Sequence, residues 1–555
     1  MTVSPPLRAA RDLLCRPVPA ALALIAILFV LSLGMSTGGY LGTDTGAKVA
    51  TLDVMDERGT AHPVLGYWAE EYDPEGTLHP IYDSRPVDGG WVQVTTLPML
   101  ELARPLWALG GYRATLLLPI LGAVGTAFAC RSLAQRMATP SAGWQAYWIV
   151  GLASPITVYA LDLWEHAPGV GCMVGAIALL AGIVDGDAVP ARALGAGALL
   201  GLAATMRTEA FPYALVAVGT TCLFLALVRH RWSAAVQAGA LSVVAFGVPW
   251  FANTVLEDQV GGNSRQVRVT DTAGGGPVGH RISQTDERLR EAVTGMLAMR
   301  SGTLASIVLL GGLAAALVAG ALVADRRGDR RLGLILLGGS AILHLSVLAG
   351  GLGFVPGMLS AAPVVVAALL LPPTRASGRV ALVIALGTLP LVWAFHFIGG
   401  ASPQWGNRYA LTSAMVLVAL GVAGLQRCSP QVRLGLIGLS SAITVTGLLW
   451  LSQRSHDVER LFAALVDRPE DVIVSRNGFL IREGGATYSQ RLWLTAVSDD
   501  ALESAFGVVD SAGYETVGVL DTDPDAPEEL AGADLQSTVS MSAAGTTFYL
   551  HSYAL

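Results

Sequence analysis

The sequence predicts a polytopic all-α membrane protein of about thirteen transmembrane helices with a small C-terminal α/β extracytoplasmic domain. Three observations predict it. Of 555 residues, 53% are hydrophobic and 14% charged, a balance foreign to ordinary soluble domains. The apolar residues fall in runs near the roughly 20 residues that a bilayer-crossing helix needs. The arginines gather in short turns between alternate runs: Arg131 and Arg136; Arg229 and Arg231; Arg326, Arg327, Arg330 and Arg331; Arg375 and Arg379; Arg427 and Arg433. Positive charge stays cytoplasmic, so these turns are expected inside. The net charge of -7 and this spacing are not a nucleic-acid footprint.

Taken in order, the first run (18–35) follows Arg8, Arg11 and Arg16, which places the N-terminus in the cytoplasm. It lacks a small-x-small cleavage site and reads as a retained anchor. Residues 36–104 form the first extracytoplasmic segment. It carries Asp44, Asp53, Asp56, Glu57, Glu70, Glu71, Asp73, Asp83 and Asp88 among Tyr67, Trp68, Tyr72, Tyr82 and Trp91. Interleaved aromatics predict a folded loop that hugs the interface. Further spans are expected at 106–130, 144–161, 168–183, 191–206, 211–228, 234–251, 304–324, 332–350, 354–371, 380–398, 409–425 and 434–451. Alternation then puts outside 162–166, 207–209, the large loop 253–300, 351–353, 399–408 and the tail, and every arginine-rich turn falls inside. Residues 1–452 are thus one transmembrane module. The tail, 453–555, has ordinary polarity. It shows strand-like runs at 472–475, 492–497, 516–520 and 547–551, with amphipathic helices near 458–466 and 500–512. The glycine-rich 274–277 reads as flexible, and neither a fixed repeat nor a glycine-rich phosphate loop is present.

Cys15, Cys130, Cys172, Cys222 and Cys428 all fall in spans or on the inner side, so no extracytoplasmic disulfide is expected. Lys48 is the only lysine. Arginine in its place, with abundant Ala and Gly, is the composition of a GC-rich coding sequence such as an actinobacterium's.

The residues able to do chemistry collect at the outer ends of the spans. Asp44 and Lys48 share a helical face if 42–48 is helical. Asp44 then reads as a general base for an acceptor hydroxyl, with Lys48 beside a donor phosphate. The plain alternative is a helix cap with a surface ion pair of little worth. Asp162, Trp164, Glu165 and His166 put two carboxylates and an imidazole beside an interfacial aromatic, fit for a sugar, a metal or a second acid or base; a polar loop with an aromatic belt residue is the other reading. Arg207 offers a planar fork of donors to a phosphate, with Glu209 either a substrate contact or its internal partner. Gln404, Trp405, Asn407 and Arg408 suit a phosphate and a stacked sugar, or a Trp-Tyr-Arg interfacial anchor. His344 and His396 read as packed helix residues. The polar groups after Asn253 (Glu257, Asp258, Asn263, Arg265, Arg268) read as an ordinary soluble loop.

This pattern resembles the GT-C superfamily of membrane glycosyltransferases, with Asp44 in the acidic position after the first helix. Asp162-Leu163-Trp164-Glu165-His166, Arg207-Thr208-Glu209 and Gln404-Trp405-Gly406-Asn407-Arg408-Tyr409 resemble outer-loop motifs of bacterial members. The resemblance covers residues 1 to about 451. It implies a bilayer-embedded transferase that takes a sugar from a polyprenyl-phosphate donor to an extracytoplasmic acceptor, with no nucleic acid involved. Asp44 would be the base, and Arg207 or Arg408, with Lys48 beside them, would face the departing phosphate. Many relatives carry paired acids at the first position, whereas here Thr43 and Thr45 flank Asp44. A divalent metal therefore stays possible, with Asp53, Asp162 and Glu165 as candidates for the second carboxylate. A secondary transporter would place charges near mid-span, and few are there; a non-catalytic envelope-assembly protein is the third reading.

Overall fold

The structure, a computed structural model, describes residues 13–81, 84–87, 89–93, 97–261, 285–300, 302–348, 356–395 and 405–555. The chain begins with α1 (Pro17–Ser32), whose proline sits at the first helical position, where no donor is lost. Then come α2 (Thr43–Glu57), the hairpin β1 (Ser84–Val87) and β2 (Gly90–Gln93), α3 (Leu97–Thr115), α4 (Leu117–Met137), α5 (Pro140–Leu152) and α6 (Pro155–Tyr159). They are followed by α7 (His166–Asp185), α8 (Val189–Met206), α9 (Ala210–Leu223, continued by a π-helical turn Phe224–Val228), α10 (Trp232–Gly261) and α11 (Thr285–Leu297). The series closes with α12 (Leu304–Arg326), α13 (Arg330–Leu348), α14 (Met358–Ala361), α15 (Val364–Leu370), α16 (Ala376–Phe395), α17 (Leu411–Leu425) and α18 (Pro430–Val466).

The protein is a multi-pass membrane protein: among the described residues ten helices are long and apolar enough to cross a bilayer. They are α4, α7, α8, α9 with its π turn, α10, α12, α13, α16, α17 with the 3-10 turn Arg408–Ala410 before it, and α18. The other three expected spans differ. α1 is a shorter apolar helix of 16 residues. The run at 144–161 breaks where Pro155 starts α6, because a proline disfavours helix in the residue before it. The run at 354–371 breaks at Ala362–Pro363 into the short α14 and α15. The start expected at 106 is also displaced, since Gly110 and Gly111 kink α3, Gly111 having φ +59°. The outer segment expected from Asn253 is helical through Gly261 and again over α11; Asn263, Arg265, Arg268 and 274–277 lie outside the described residues.

Close helix approach depends on small residues. A Cβ on Gly197 or Gly201 of α8 would lie 2.2 or 2.3 Å from carbonyls of α10. A Cβ on Gly122 of α4 would lie 2.4 Å from Pro168 N, which seats the start of α7 tightly on α4. The arginine-rich turns meet at one end of the bundle. Arg136 pairs with Asp185 (3.3 Å) and Asp187 (2.7 Å), and Arg375 donates to the Arg136 carbonyl. Asp325 takes the Ser429 N–H (2.8 Å) and hydroxyl (2.5 Å).

The opposite end carries the polar cap. Its sheet has the order β4-β3-β5-β8-β7-β6, from β3 (Val472–Ser475), β4 (Leu492–Thr495), β5 (Thr516–Asp521), β6 (Glu529–Leu530), β7 (Ala533–Ala543) and β8 (Thr546–Ala554). β4, β3 and β5 run parallel, and β5, β8, β7 and β6 pair antiparallel. Between β3 and β4 lies the single turn α19 (Leu480–Glu483), and between β4 and β5 lies α20 (Asp499–Ser511), capped by the Ser498 hydroxyl. One sheet face packs on Val458, Leu461, Phe462 and Leu465 at the end of α18. The other packs on α20 and on the first polar segment, with Ala47, Ala50, Val54, Leu65, Tyr67 and Trp91 beside Val472, Val474 and Leu494.

The first polar segment is folded, as expected, and Tyr67, Trp68 and Trp91 pack within the polar cap, whereas Tyr72 is 40% exposed and Tyr82 lies outside the described residues. Trp91 is fully buried in the core shared with the tail, and Trp68 Nε1 donates to the Trp493 carbonyl (3.0 Å). Asp73 organises the segment by accepting from the Tyr67 hydroxyl (2.7 Å), Thr77 N (3.0 Å), the Thr77 hydroxyl (3.0 Å) and Leu78 N (2.8 Å). Burial pushes the neighbouring His79 imidazole down to about 4.

Candidate active site at the mouth of the bundle

Helix α2 is the keystone. Its first turn is wedged between the 160–166 turn and the tail, and both sides demand glycine. The cap position, usually Ser or Asp, is Gly42, because a Cβ there would meet the Trp164 indole at 3.1 Å. On the tail side a Cβ on Gly46 would fall 1.6 Å from the Arg482 carbonyl oxygen, and one on Gly485 would fall 1.8 Å from the Gly46 carbonyl oxygen. Backbone therefore lies directly on backbone.

Asp44 opens this helix and stays 29% exposed. Trp164 Nε1 donates to its Oδ2 (3.2 Å), and Arg482 Nη2 donates to its Oδ1 (2.5 Å). One turn on, Lys48 is buried. Its ammonium pairs with Glu165 Oε2 (2.8 Å) and also reaches the Asp44 carbonyl (3.3 Å). The shared face of Asp44 and Lys48 is thus real, but the carboxylate that Lys48 meets is Glu165. Glu165 Oε1 takes Arg207 Nη1 (3.3 Å), and Arg207 Nε donates to Glu209 Oε1 (2.8 Å). Lys48, Glu165, Arg207 and Glu209 form one buried chain of alternating charge.

Asp162 lies on the other flank of α2. It accepts from Thr45 (2.6 Å), Leu41 N (3.2 Å) and the Tyr112 hydroxyl (3.2 Å). Burial pushes its carboxyl up to about 6, against the lowering effect of those donors. Tyr159, Trp164 and His166 stack beside it, His166 lying 4.1 Å from Trp164 and 5.3 Å from Tyr159 between ring centres.

Arg408 reaches in from the 3-10 turn Arg408–Ala410. Its guanidinium lies 5.3 Å from the Trp164 ring centre and 4.7 Å from that of Tyr409, whose hydroxyl accepts from Nη2 (3.0 Å). The side chain is half-buried, and among the described residues no carboxylate pairs with it.

The structure thus gathers Asp44, Lys48, Asp162, Trp164, Glu165, His166, Arg207, Glu209 and Arg408 at one mouth. Two residues expected with them are buried in packing contacts. Trp405 is 1% exposed and fills the space against Trp450 that Gly447 leaves open. Asn407, at φ +62°, is buried against Gly295 of α11. Gln404 and His396 lie outside the described residues. His344 sits within α13, its Nδ1 on the Ser340 carbonyl (2.8 Å). Asp53 is excluded as a second carboxylate, because nine residues of helix place it about 13 Å along the axis from Asp44, where it meets Ser489. Residues missed from the sequence are Thr45, Tyr112, Tyr159 and above all Arg482. The Gly484-Gly485 pair after Arg482 was the one available sign of a close backbone approach there.

The carboxylates do not fit a metal as they stand. Asp44, Asp162 and Glu165 each face their own donors, and among the described residues no group of three metal-ligating side chains converges.

No protein-family model and no curated protein matches the chain. Solved structures do resemble it. The oligosaccharyltransferase of Archaeoglobus fulgidus, in its apo form, has 11% identity and a TM-score of 0.48 over 90% of this chain and 69% of that one. ArnT from Cupriavidus metallidurans, bound to undecaprenyl phosphate, has 14% identity and a TM-score of 0.45 over 96% of this chain and 97% of that one. The archaeal oligosaccharyltransferase AglB from Archaeoglobus fulgidus, in complex with an inhibitory peptide and a dolichol-phosphate, has 10% identity and a TM-score of 0.43 over 95% and 74%. At these identities and scores the likenesses carry no weight on activity.

Proposed function

We propose that the protein is an integral-membrane glycosyltransferase of the GT-C type. It moves a sugar from a polyprenyl-phosphate donor to a hydroxyl of an extracytoplasmic acceptor, a cell-envelope glycan, lipid or protein. The observation that carries this reading is the pairing, across the single indole of Trp164, of a partly exposed carboxylate with a half-buried guanidinium that no carboxylate among the described residues neutralises. The acceptor oxygen attacks the anomeric carbon, the bond from that carbon to the phosphate oxygen breaks, and the hydroxyl proton passes to Asp44. The phosphate stays on the lipid, its charge facing Arg408. The closed chain of Lys48, Glu165, Arg207 and Glu209 holds α2, α7 and α8 in register behind the site. The basic turns meet at the end of the bundle remote from Asp44, which supports a cytoplasmic N-terminus and an outward-facing tail.

The test is Asp44→Asn, assayed in membranes supplied with a labelled polyprenyl-phosphate sugar. Loss of a positioned base is expected to lower transfer about 10²–10⁴-fold, measured at equal amounts of folded protein because the variant also takes the carboxylate partner from the buried Arg482 and lowers the thermal midpoint. Wild-type transfer by the variant removes Asp44 from the mechanism, and an inactive wild-type protein removes the reaction.

A further inference from the structure

Resting on the reading of Asp44 as the base, we infer that Arg482 is its positioning residue, so that the C-terminal domain completes the active site rather than merely covering it.

The contact joins residues 438 positions apart. Arg482 has little room to act as a swinging latch. Its side chain is 5% exposed, its guanidinium lies 5.6 Å from the Phe479 ring centre, and its own carbonyl is pressed against Gly46. A guanidinium fixed on Oδ1 orients the carboxylate plane, leaving Oδ2 toward Trp164 and the mouth.

A role as glue explains the residue poorly. Burying a charge is costly, and a buried ion pair holds surfaces together no better than apolar side chains of the same size. Docking is already secured by the apolar core shared between α2 and β3–β5, and by the Thr495 N–H on the Leu78 carbonyl (2.9 Å). What an apolar residue cannot supply is a fixed donor to Asp44. Among the described residues, the other charges near Asp44 include Lys48 on its own helix, Asp162 through Thr45, and Arg408 across Trp164. Among the described residues the tail contributes this one ion pair to Asp44.

The experiment measures sugar transfer by the full-length protein in detergent or nanodiscs, using Arg482→Gln, Arg482→Lys and Glu483→Gln. Glu483 lies on the same helical turn but pairs with Arg454 (2.7 Å), so it controls for damage to that turn. In Arg482→Gln, kcat is expected to fall about 10–100-fold through misplacement of the base, with the donor KM within about twofold. The acid limb of the pH–rate profile should move up by about one unit as the charge that favours the ionised form is lost. Arg482→Lys restores the charge but not the planar fork, so its limb returns toward wild type while kcat stays severalfold low. Glu483→Gln lowers the thermal midpoint and leaves the limb in place. An unmoved limb in Arg482→Gln, or a limb shift shared by Glu483→Gln, overturns the proposal while leaving the glycosyltransferase reading intact. Should Arg482→Gln fail to fold, full wild-type kcat in Arg482→Lys overturns it. A wild-type protein without transfer takes both readings down.

Discussion

Arg207 and Arg408 sit at one mouth and look alike in sequence, each a lone arginine where a polar turn meets an apolar helix, yet their surroundings differ. Arg207 is clamped between Glu165 and Glu209 and 6% exposed. Arg408 is half-buried on two aromatic faces. A buried arginine needs carboxylates close by, because its desolvation is costly. An arginine resting on aromatic rings keeps its charge unspent and its edge open to an anion. Equal sequence signals thus resolve into a guanidinium closed off by two carboxylates and a less buried one that, on the proposed reading, meets the donor phosphate.

The largest effect that can break this comparison comes from removing each guanidinium in turn. Arg207→Gln leaves Glu165 and Glu209 buried against less positive charge and is expected to cost about 3–5 kcal/mol of stability, read as a large drop in thermal midpoint. Arg408→Gln should leave that midpoint within a few degrees while lowering transfer about 10²-fold or more, as befits loss of one charge-stabilising donor. If the two variants exchange phenotypes, the two arginines have been misassigned.

A smaller effect separates Asp162 from Asp44. The folded state holds the Asp162 proton up to about pH 6, whereas the usual carboxyl value is 3.8. Between those values the native protein binds a proton that the unfolded chain has lost. This group's contribution to stability therefore falls as pH rises from about 4 to about 6 and is level above, amounting to at most about 3 kcal/mol. Asp162→Asn cannot ionise, so its thermal midpoint should lack that component. Parallel midpoint-against-pH curves for wild type and variant would show Asp162 ionised throughout.

The smallest effect comes from the basic end of the bundle. Arg136 pairs with Asp185 and Asp187 much as Arg207 pairs with its glutamates, but all three side chains there are 22–34% exposed. Arg136→Gln should cost less than about 1 kcal/mol. A loss as large as that of Arg207→Gln would show that burial is not what separates these ion pairs.

Much of this was legible in the sequence because it is written in local pattern. Apolar runs mark the spans, and β-branched runs mark β3 and β5. β7 was missed because its Asp534-Leu535-Gln536-Ser537-Thr538 stretch is polar and largely exposed, stabilised by pairing with β8 rather than by a buried face. α18 was expected to stop near Leu451, where Gln453, Arg454 and His456 signal exit from the bilayer, yet leaving a membrane does not end a helix and none of these residues is a breaker. In the site, the acidic and basic residues bordering the spans could be named because charge beside an apolar run is rare. Arg482 could not, since nothing in a single chain of residues says that the turn after β3 will lie on the turn before Lys48.

That uninterrupted α18 has a mechanical consequence. At 1.5 Å per residue its 37 residues make a rod of about 55 Å, nearly twice the hydrocarbon thickness of a bilayer. The rod emerges past Gly39, where a Cβ would come within 2.0 Å of the Ser455 carbonyl oxygen. Height and azimuth of the C-terminal sheet are therefore geared to helical phase. One residue added between Leu451 and Ser455 would lift the sheet by about 1.5 Å and swing it by about 100°. On the proposed reading, the spacing of this connector belongs to the catalytic apparatus as much as any side chain does.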